Sequence, residues 1–296
     1  MVIKRFQAIV YIDFRKKEEN NPQNGLYGYI MDDLLKRIQE YELNILDETA
    51  KVCDKLKLKY SLFYGSMIGA IRHQGFIPWD DDVDIVMPRE DYEIFLAEAQ
   101  KYLPSYLFVQ HYSTEKNNNN LFIKIRDTRT LFLEKDSQEF DICHGIFIDV
   151  FPLDKCNKKK IKSENRKRQQ FNLLCSCYSM FNIESIQNPM KRIVAKGINN
   201  LYCKRVSIRK HMEKEDERRK RENKKGDNCY LLGYYSFKQT ATYEEIFELI
   251  EVKFEERIFS CSKEYDSILK KIYGSYMSLP PEEERITHKP MRVEFH

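Results

Sequence analysis

The run Asp80-Asp81-Asp82-Val83-Asp84, followed directly by Ile85-Val86-Met87, constrains this chain more than any other segment. Its second half reads as a strand from Asp82 to Met87 that stops at Pro88. Side chains two apart on a strand project to one face, so Asp82 and Asp84 are predicted to stand together. Two such carboxylates repel unless a cation lies between them. Their oxygens suit Mg²⁺ or Mn²⁺, ions that also bring substrate phosphates. An acidic surface turn is the plainer alternative. Phe76-Ile77-Pro78-Trp79 before the run and the apolar strand after it argue against that alternative. The pattern points to a metal-dependent transferase acting at phosphorus.

Two further pieces fit the same chemistry. Gly65-Ser66 follows a strand read at Tyr60–Tyr64 and reads as a tight turn into a short helix, Met67–Arg72. Backbone N–H groups at such a strand-to-helix turn favour phosphate. Asp149 is a lone acid in the apolar run Gly145–Phe151, which Pro152 is expected to end. A buried unpaired carboxylate is costly, so Asp149 needs a partner. A neighbouring strand carrying Asp82 and Asp84, with metal between, supplies one. Three carboxylates on adjacent strands can hold two Mg²⁺ ions for in-line displacement at phosphorus. A strand-end Asp149 that caps the next loop is the structural alternative.

Along the chain, residues 1–30 read as a strand, Ala8–Phe14, and a polar loop, Lys16–Gly28. Helical spacing of Leu34, Leu35, Ile38, Tyr41, Ile45 and Leu46 predicts an amphipathic helix over Met31–Leu58. Another helix is expected at Glu90–Leu103, with Tyr92, Phe95, Leu96, Ala99 and Leu103 on one face. A β-hairpin is expected for Leu121–Arg126 and Thr130–Glu134, with Lys124 and Arg126 on one face. Asn117–Asn120 reads as a loop tip. Residues 31–155 form the expected catalytic core. Residues 156–235 are helical and basic and read as an insertion. Residues 236–296 complete the core with a hairpin, Leu249–Phe254 and Arg257–Phe259, and a helix, Lys263–Tyr273, with Ser262 as N-cap and Gly274 after its end. The fold class is α+β: a mixed sheet flanked by helices.

The 296 residues, 42% hydrophobic and 32% charged, suit a globular protein. A net charge of +4 gives no reason to expect a nucleic-acid partner. The eight cysteines form no C-x-x-C pair, so zinc is not expected. The opening apolar run Phe6–Ile12 is short and interrupted by Gln7. No stretch reaches the ~18 apolar residues of a membrane span. A cytoplasmic location with free thiols is expected. The basic insertion adds the expectation of a peripheral contact at the inner membrane face. The aromatic surplus, 19 Tyr and 18 Phe, would permit a cage for a quaternary ammonium group.

The block Phe63-Tyr64-Gly65-Ser66-Met67-Ile68-Gly69-Ala70-Ile71-Arg72-His73-Gln74-Gly75-Phe76-Ile77-Pro78-Trp79-Asp80-Asp81-Asp82-Val83-Asp84 resembles the signature of the LicD family. Gly145–Asp154 resembles the family's third-carboxylate strand, and Tyr273–Glu283 its C-terminal block, with Ser275 where the family often carries Asp. The resemblance implies a nucleotidyltransferase-type fold. It implies transfer of a phospho-alcohol, phosphocholine foremost, from a CDP-activated donor such as CDP-choline to a sugar hydroxyl, releasing CMP. The acceptor would be a glycan or lipid-linked glycan: teichoic acid, lipooligosaccharide or capsule. Carried over by position, Asp82, Asp84 and Asp149 would be the catalytic metal ligands. Gly65, Ser66, Arg72, His73, Lys124 and Arg126 would contact donor phosphate. Asp80, Asp81 and Trp79 would assist, with Trp79 better read as an anchor for its loop. Two rivals stand beside this reading. One is a true nucleotidyltransferase, releasing pyrophosphate. The other is a catalytically degenerate glycan-binding protein.

Overall fold

The computed structural model describes residues 24–296, apart from residues 119, 136, 179–182, 184–185, 206, 234–238 and 286–289, with side chains from Asp33 onward. The expected strand Ala8–Phe14 lies outside the described residues. The first element, α1, spans Asn24–Leu56 and so begins inside the segment read as a polar loop. Extending a formed helix fixes one residue per hydrogen bond gained, which lets the long apolar helix carry Gly25 and Gly28. It ends two residues earlier than expected. Lys57 turns left-handed at φ +57°, and the Leu58 N–H reaches back to the Cys53 carbonyl at 2.9 Å. Both Cys53 and Leu58 are buried, the apolar contact that accompanies this helix stop.

The chain then forms β1 (Ser61–Leu62), α2 (Tyr64–Ile68) and one π-helical turn, Gly69–His73. Gly65 and Ser66 therefore lie inside the first turn of α2 and not in a turn before a helix at Met67. The reversal is at Tyr64, φ +43°. A Cβ on Gly69 would stand 2.4 Å from the Gly75 carbonyl oxygen, so only glycine lets this turn close. The acidic strand, β2, starts at Asp84 and runs to Pro88. Its expected first residues, Asp82 and Val83, belong to the preceding loop.

Next come α3 (Arg89–Glu98), which gives way to a 3₁₀ turn at Ala99–Lys101, and β3 (Leu107–Gln110). Asn118, placed at the expected loop tip, is 2% exposed. The next strands are β4 (Ile123–Asp127), β5 (Thr130–Leu133) and β6 (Ile146–Leu153). The predicted hairpin of β4 with β5 does not form. Both edges of β4 are taken, by β3 and β6, and β5 leaves to pair with a C-terminal strand. Strand β6 also passes through Pro152. Its Asp149 N–H bonds toward β2, so by alternation the N position of residue 152 faces β4. The β4 pairing has already ended there, at Ile123 opposite Val150, and the missing N–H costs no ladder bond.

Helices α4 (Ile161–Tyr178), α5 (Pro189–Ile198) and α6 (Ile208–Lys225) follow. The chain closes with β7 (Tyr230–Leu231), β8 (Thr240–Ala241), α7 (Tyr243–Phe247), β9 (Leu249–Phe254), β10 (Arg257–Ser262), α8 (Tyr265–Tyr273) and β11 (Arg292–Phe295). Ser262 ends β10, and its hydroxyl accepts from the Glu264 N–H, so α8 starts at Tyr265. Strand β11 is the partner of β5.

The main sheet has seven strands in the order β3-β4-β6-β2-β1-β10-β9. It is mixed: β2 runs parallel to β6 and β1 parallel to β10, the rest antiparallel. This is the expected sheet flanked by helices. One face packs Ile85, Met87, Ile148 and Val150 against Ile38, Ile45 and Leu46 of α1. The other packs Val86, Phe151 and Leu153 with Met67 of α2 and Ile268 and Leu269 of α8. A buried charge network ties the helices after β6 to this core. Arg89 bonds both oxygens of Asp154, at 2.7 and 3.1 Å, and Asp216 at 3.2 Å. Arg168 also reaches Asp154, at 3.2 Å. Asp154 holds its proton less readily than usual: burial opposes this, but Arg89 and Arg168 outweigh it. Among the described residues no helix is long and apolar enough to cross a membrane.

Candidate active site

The centre of the sheet places Asp84 of β2 directly opposite Asp149 of β6. Parallel register puts both on the sheet face that carries Val86 and Phe151. They are 9% and 8% exposed. Backbone bonds fix the pair: the Asp149 N–H donates to the Val83 carbonyl at 2.8 Å, and the Phe63 N–H to the Asp84 carbonyl at 2.9 Å. The Asp84 N–H donates to the Ser66 hydroxyl at 2.8 Å.

Lys124 of β4 is the next residue across from Asp149. Its ammonium lies 2.9 Å from Oδ1 and 3.3 Å from Oδ2 of Asp149, and 3.3 Å from the centre of the Phe147 ring. A row Asp84, Asp149, Lys124 therefore crosses three strands with two negative charges and one positive. Burial, then Asp82, Asp149 and Asp80, push the Asp84 carboxyl well above the usual carboxylate range, with Lys124 opposing. Asp149 is also pushed up by burial, and Lys124 works against that shift.

The acidic loop stands at the end of this row. Asp82 precedes β2, so strand alternation does not set its direction, yet its charge acts on both strand carboxylates. Asp81 is 3% exposed. The Asp80 carbonyl accepts from the Gln39 amide at 2.8 Å. Its carboxylate lies against Gly65, where a Cβ would come within 2.7 Å of Oδ2. Gly65 and Ser66 thus hold the acidic loop and strand in place. Trp79 is half-buried, packs against the apolar layer of α2 and α8, and carries the Arg285 guanidinium 4.5 Å above its ring.

The other side chains expected at donor phosphate make hydrogen bonds of their own outside the carboxylate row. Arg72 donates from Nη1 to the Tyr276 carbonyl at 2.6 Å and from Nε to His73 Nε2 at 2.9 Å. Burial, then the adjacent Arg72, holds the His73 imidazole below its ordinary range, which suits an acceptor. Arg126 is 1% exposed and bonds Gln110 at 2.5 Å and the Gly145 carbonyl at 2.7 Å. Among the described residues no three His, Cys, Asp or Glu side chains are already gathered into a metal cage.

Two residues that sequence reasoning passed over belong to this site. Glu42 of α1 is 1% exposed, and its Oε2 has no hydrogen-bond partner. Burial, then the charges of Asp82, Asp81, Asp80 and Asp149, push its carboxyl well up. The available signal was an acid at an apolar phase of α1, four residues after Ile38 and three before Ile45. Tyr273 closes α8. As a whole residue it is 45% exposed, but its phenol is pushed up, first by local burial and then by Asp84, Tyr64, Asp80 and Asp82. The phenol is therefore within electrostatic reach of the acidic row. Nothing in its own helical spacing marks that position.

The profile of the LicD family, described as the LicD/FKTN/FKRP nucleotidyltransferase domain, matches residues 57–178. That span holds the carboxylate row and its loop. Over 259 residues, 83% of this chain and 92% of the relative, the chain is 30% identical to the lipopolysaccharide cholinephosphotransferase LicD of Haemophilus influenzae. Uncharacterized proteins of Rickettsia prowazekii and Rickettsia typhi are each 41% identical to it, over 71 and 56 residues. Those matches cover 24% and 19% of this chain and 24% and 18% of theirs. Similarity that spans nearly the whole of one relative, with the site inside the matched profile, establishes that this chain belongs to the LicD family.

Proposed function

We propose that the chain transfers a phospho-alcohol, phosphocholine foremost, from a CDP-activated donor to a sugar hydroxyl of a cell-surface glycan. The observation that carries this reading is the in-register pair Asp84 and Asp149, two buried carboxylates with the Lys124 ammonium beside one of them. The Haemophilus relative, a lipopolysaccharide cholinephosphotransferase, supports choline as cargo and lipopolysaccharide as acceptor class.

Mg²⁺ or Mn²⁺ fits the chemistry of this donor set: hard oxygen ligands, buried, and repelling one another. Asp82, Asp84 and Asp149 would hold it, with Asp82 supplied by the loop. When bound, such an ion neutralises charge on the donor pyrophosphate and makes its phosphorus a better electrophile. The chain's own residues do the rest. Ser66 and the β6 ladder fix the two strand carboxylates. Lys124 balances one of them. Asp149, or a water at the site, would take up the proton of the attacking hydroxyl. The hydroxyl oxygen forms the new bond to the distal phosphorus as the bond to CMP breaks.

The test is calorimetry with Mg²⁺ present, comparing CDP-choline, CDP-ribitol, CDP-glycerol, CDP-ethanolamine and CTP, with Asp84→Ala as control. Metal-dependent binding of one CDP-alcohol, with CMP as product, is the expected result. The description of the family profile as a nucleotidyltransferase domain keeps a second reading in view. Preference for CTP, with release of pyrophosphate, would establish that reading instead.

A further inference from the structure

Helix α5 and the π-helical turn that extends it, Asn199–Cys203, have two apolar faces. One is used: Ala195, Ile198 and Cys203 pack with Cys177 of α4. The other is turned outward. Met190, Ile193, Val194 and Leu201 are 71%, 66%, 56% and 68% exposed. Their spacing, three, four and eleven residues from Met190, makes one stripe along the helix. Single exposed apolar residues need no explanation, but a continuous stripe does.

The charge on the segment that carries the stripe has one sign. No acidic residue occurs between Glu184 and Glu213, whereas Lys191, Arg192, Lys196, Lys204 and Arg205 do. On the helical wheel Lys191 and Lys196 fall to either side of the stripe. This is the pattern of a helix that lies in a membrane interface: aliphatic side chains inserted, flanking cations at the headgroups. We infer that α5 docks the protein on the surface of an anionic lipid bilayer.

Charge decides among occupants. A second copy of the chain on a two-fold axis would bring the same lysines face to face, an unfavourable contact. A soluble polyanion would satisfy the lysines and leave Met190, Ile193, Val194 and Leu201 in water. An anionic bilayer answers both. The inference stands on the surface of α5 alone and does not depend on the transferase reading.

Vesicle co-sedimentation of the full chain tests it. Vesicles of phosphatidylglycerol and phosphatidylcholine in equal parts should pellet the protein at low salt and release it at about 0.5 M salt. Vesicles of phosphatidylcholine alone should not pellet it. Ile193→Glu with Leu201→Glu changes only outward side chains, so folding is expected to be kept, with an unaltered circular dichroism melt as the control. That variant should bind anionic vesicles on the order of a hundredfold more weakly, since two aliphatic insertions are lost. The inference is overturned if wild-type protein stays in the supernatant with anionic vesicles. It is equally overturned if the variant pellets like wild type, or if sedimentation velocity shows a wild-type dimer that the variant disperses with lipid binding unchanged.

Discussion

Lys124 stands beside Asp149 but not beside Asp84, although the two carboxylates face each other across adjacent strands. With all three groups ionised the row is one positive charge short of neutral, and the acidic loop adds more negative charge at its end, which is why the Asp84 carboxyl is pushed well up. Such excess charge in a buried place opposes folding. Selection for stability alone would remove it. The energetic imbalance therefore singles out the place where a substrate or ion must supply what the fold withholds.

Asp84→Asn keeps the shape of the side chain and removes one of two neighbouring carboxylates. The variant should melt no lower than wild type in the absence of divalent cations, because a repulsion has been relieved. Its turnover of the CDP-alcohol should fall by at least about a hundredfold. Thermal melts and a CMP-release assay check both halves. A lowered melting temperature would mean that Asp84 is held by a stabilising partner.

Lys124→Met leaves Asp149 buried without its cation. Breaking a buried pair from one side costs about 3–5 kcal/mol, and urea denaturation at neutral pH should show a loss near the lower end of that range. The double variant Lys124→Met with Asp149→Asn should recover most of it, because the orphaned charge is gone. Equal stability of the single and double variants would assign the loss to packing on Phe147 instead.

Glu42→Gln tests the buried acid of α1. The wild-type carboxyl has its proton affinity raised in the folded state, so stability should fall as pH rises through that elevated range. The glutamine variant should lack this decline and melt higher above neutral pH.

His111 provides a pH dependence of opposite sense. The residue is 1% exposed, and its Nδ1 lies 2.8 Å from the Ser113 hydroxyl. Burial pushes its imidazole from 6.5 down to about 4; Asp216 opposes the shift, and Lys220 and Arg89 add to it. The unfolded state therefore binds a proton that the folded state refuses between these two values. Its contribution is complete above about 6.5 and is lost as pH falls toward about 4, at roughly 1.4 kcal/mol per pH unit within the window. His111→Asn, whose oxygen can replace Nδ1, should flatten the slope of urea midpoint against pH between those values. An unchanged slope would show that carboxylates alone set the acid sensitivity.

Much of this protein was legible in its residues because much of it is local. The helical period of α1, the apolar runs of β2 and β6, the β9–β10 hairpin and the Gly274 stop all follow from spacing and turn chemistry. Asp84 and Asp149 stood out because acids inside apolar strands have no cheap structural reason to be there, and Asp82 because it sits two residues before Asp84. The family resemblance rested on ordered blocks of the same kind.

What tertiary structure alone decided was which groups meet. Arg126 and Lys124 share a strand face and look alike in the sequence, yet Lys124 meets Asp149 while Arg126 is consumed by Gln110 and Gly145. Strand β5 looked like the partner of β4, but the edges of β4 were already taken. Glu42 joined the acidic row, and Arg72 turned to the Tyr276 carbonyl, across separations no local pattern encodes. The chain determines its elements through dihedral preference and apolar period, which act over a few residues. It determines its site through register and packing between distant segments, and those are set only when all the elements compete for the same edges and the same buried space.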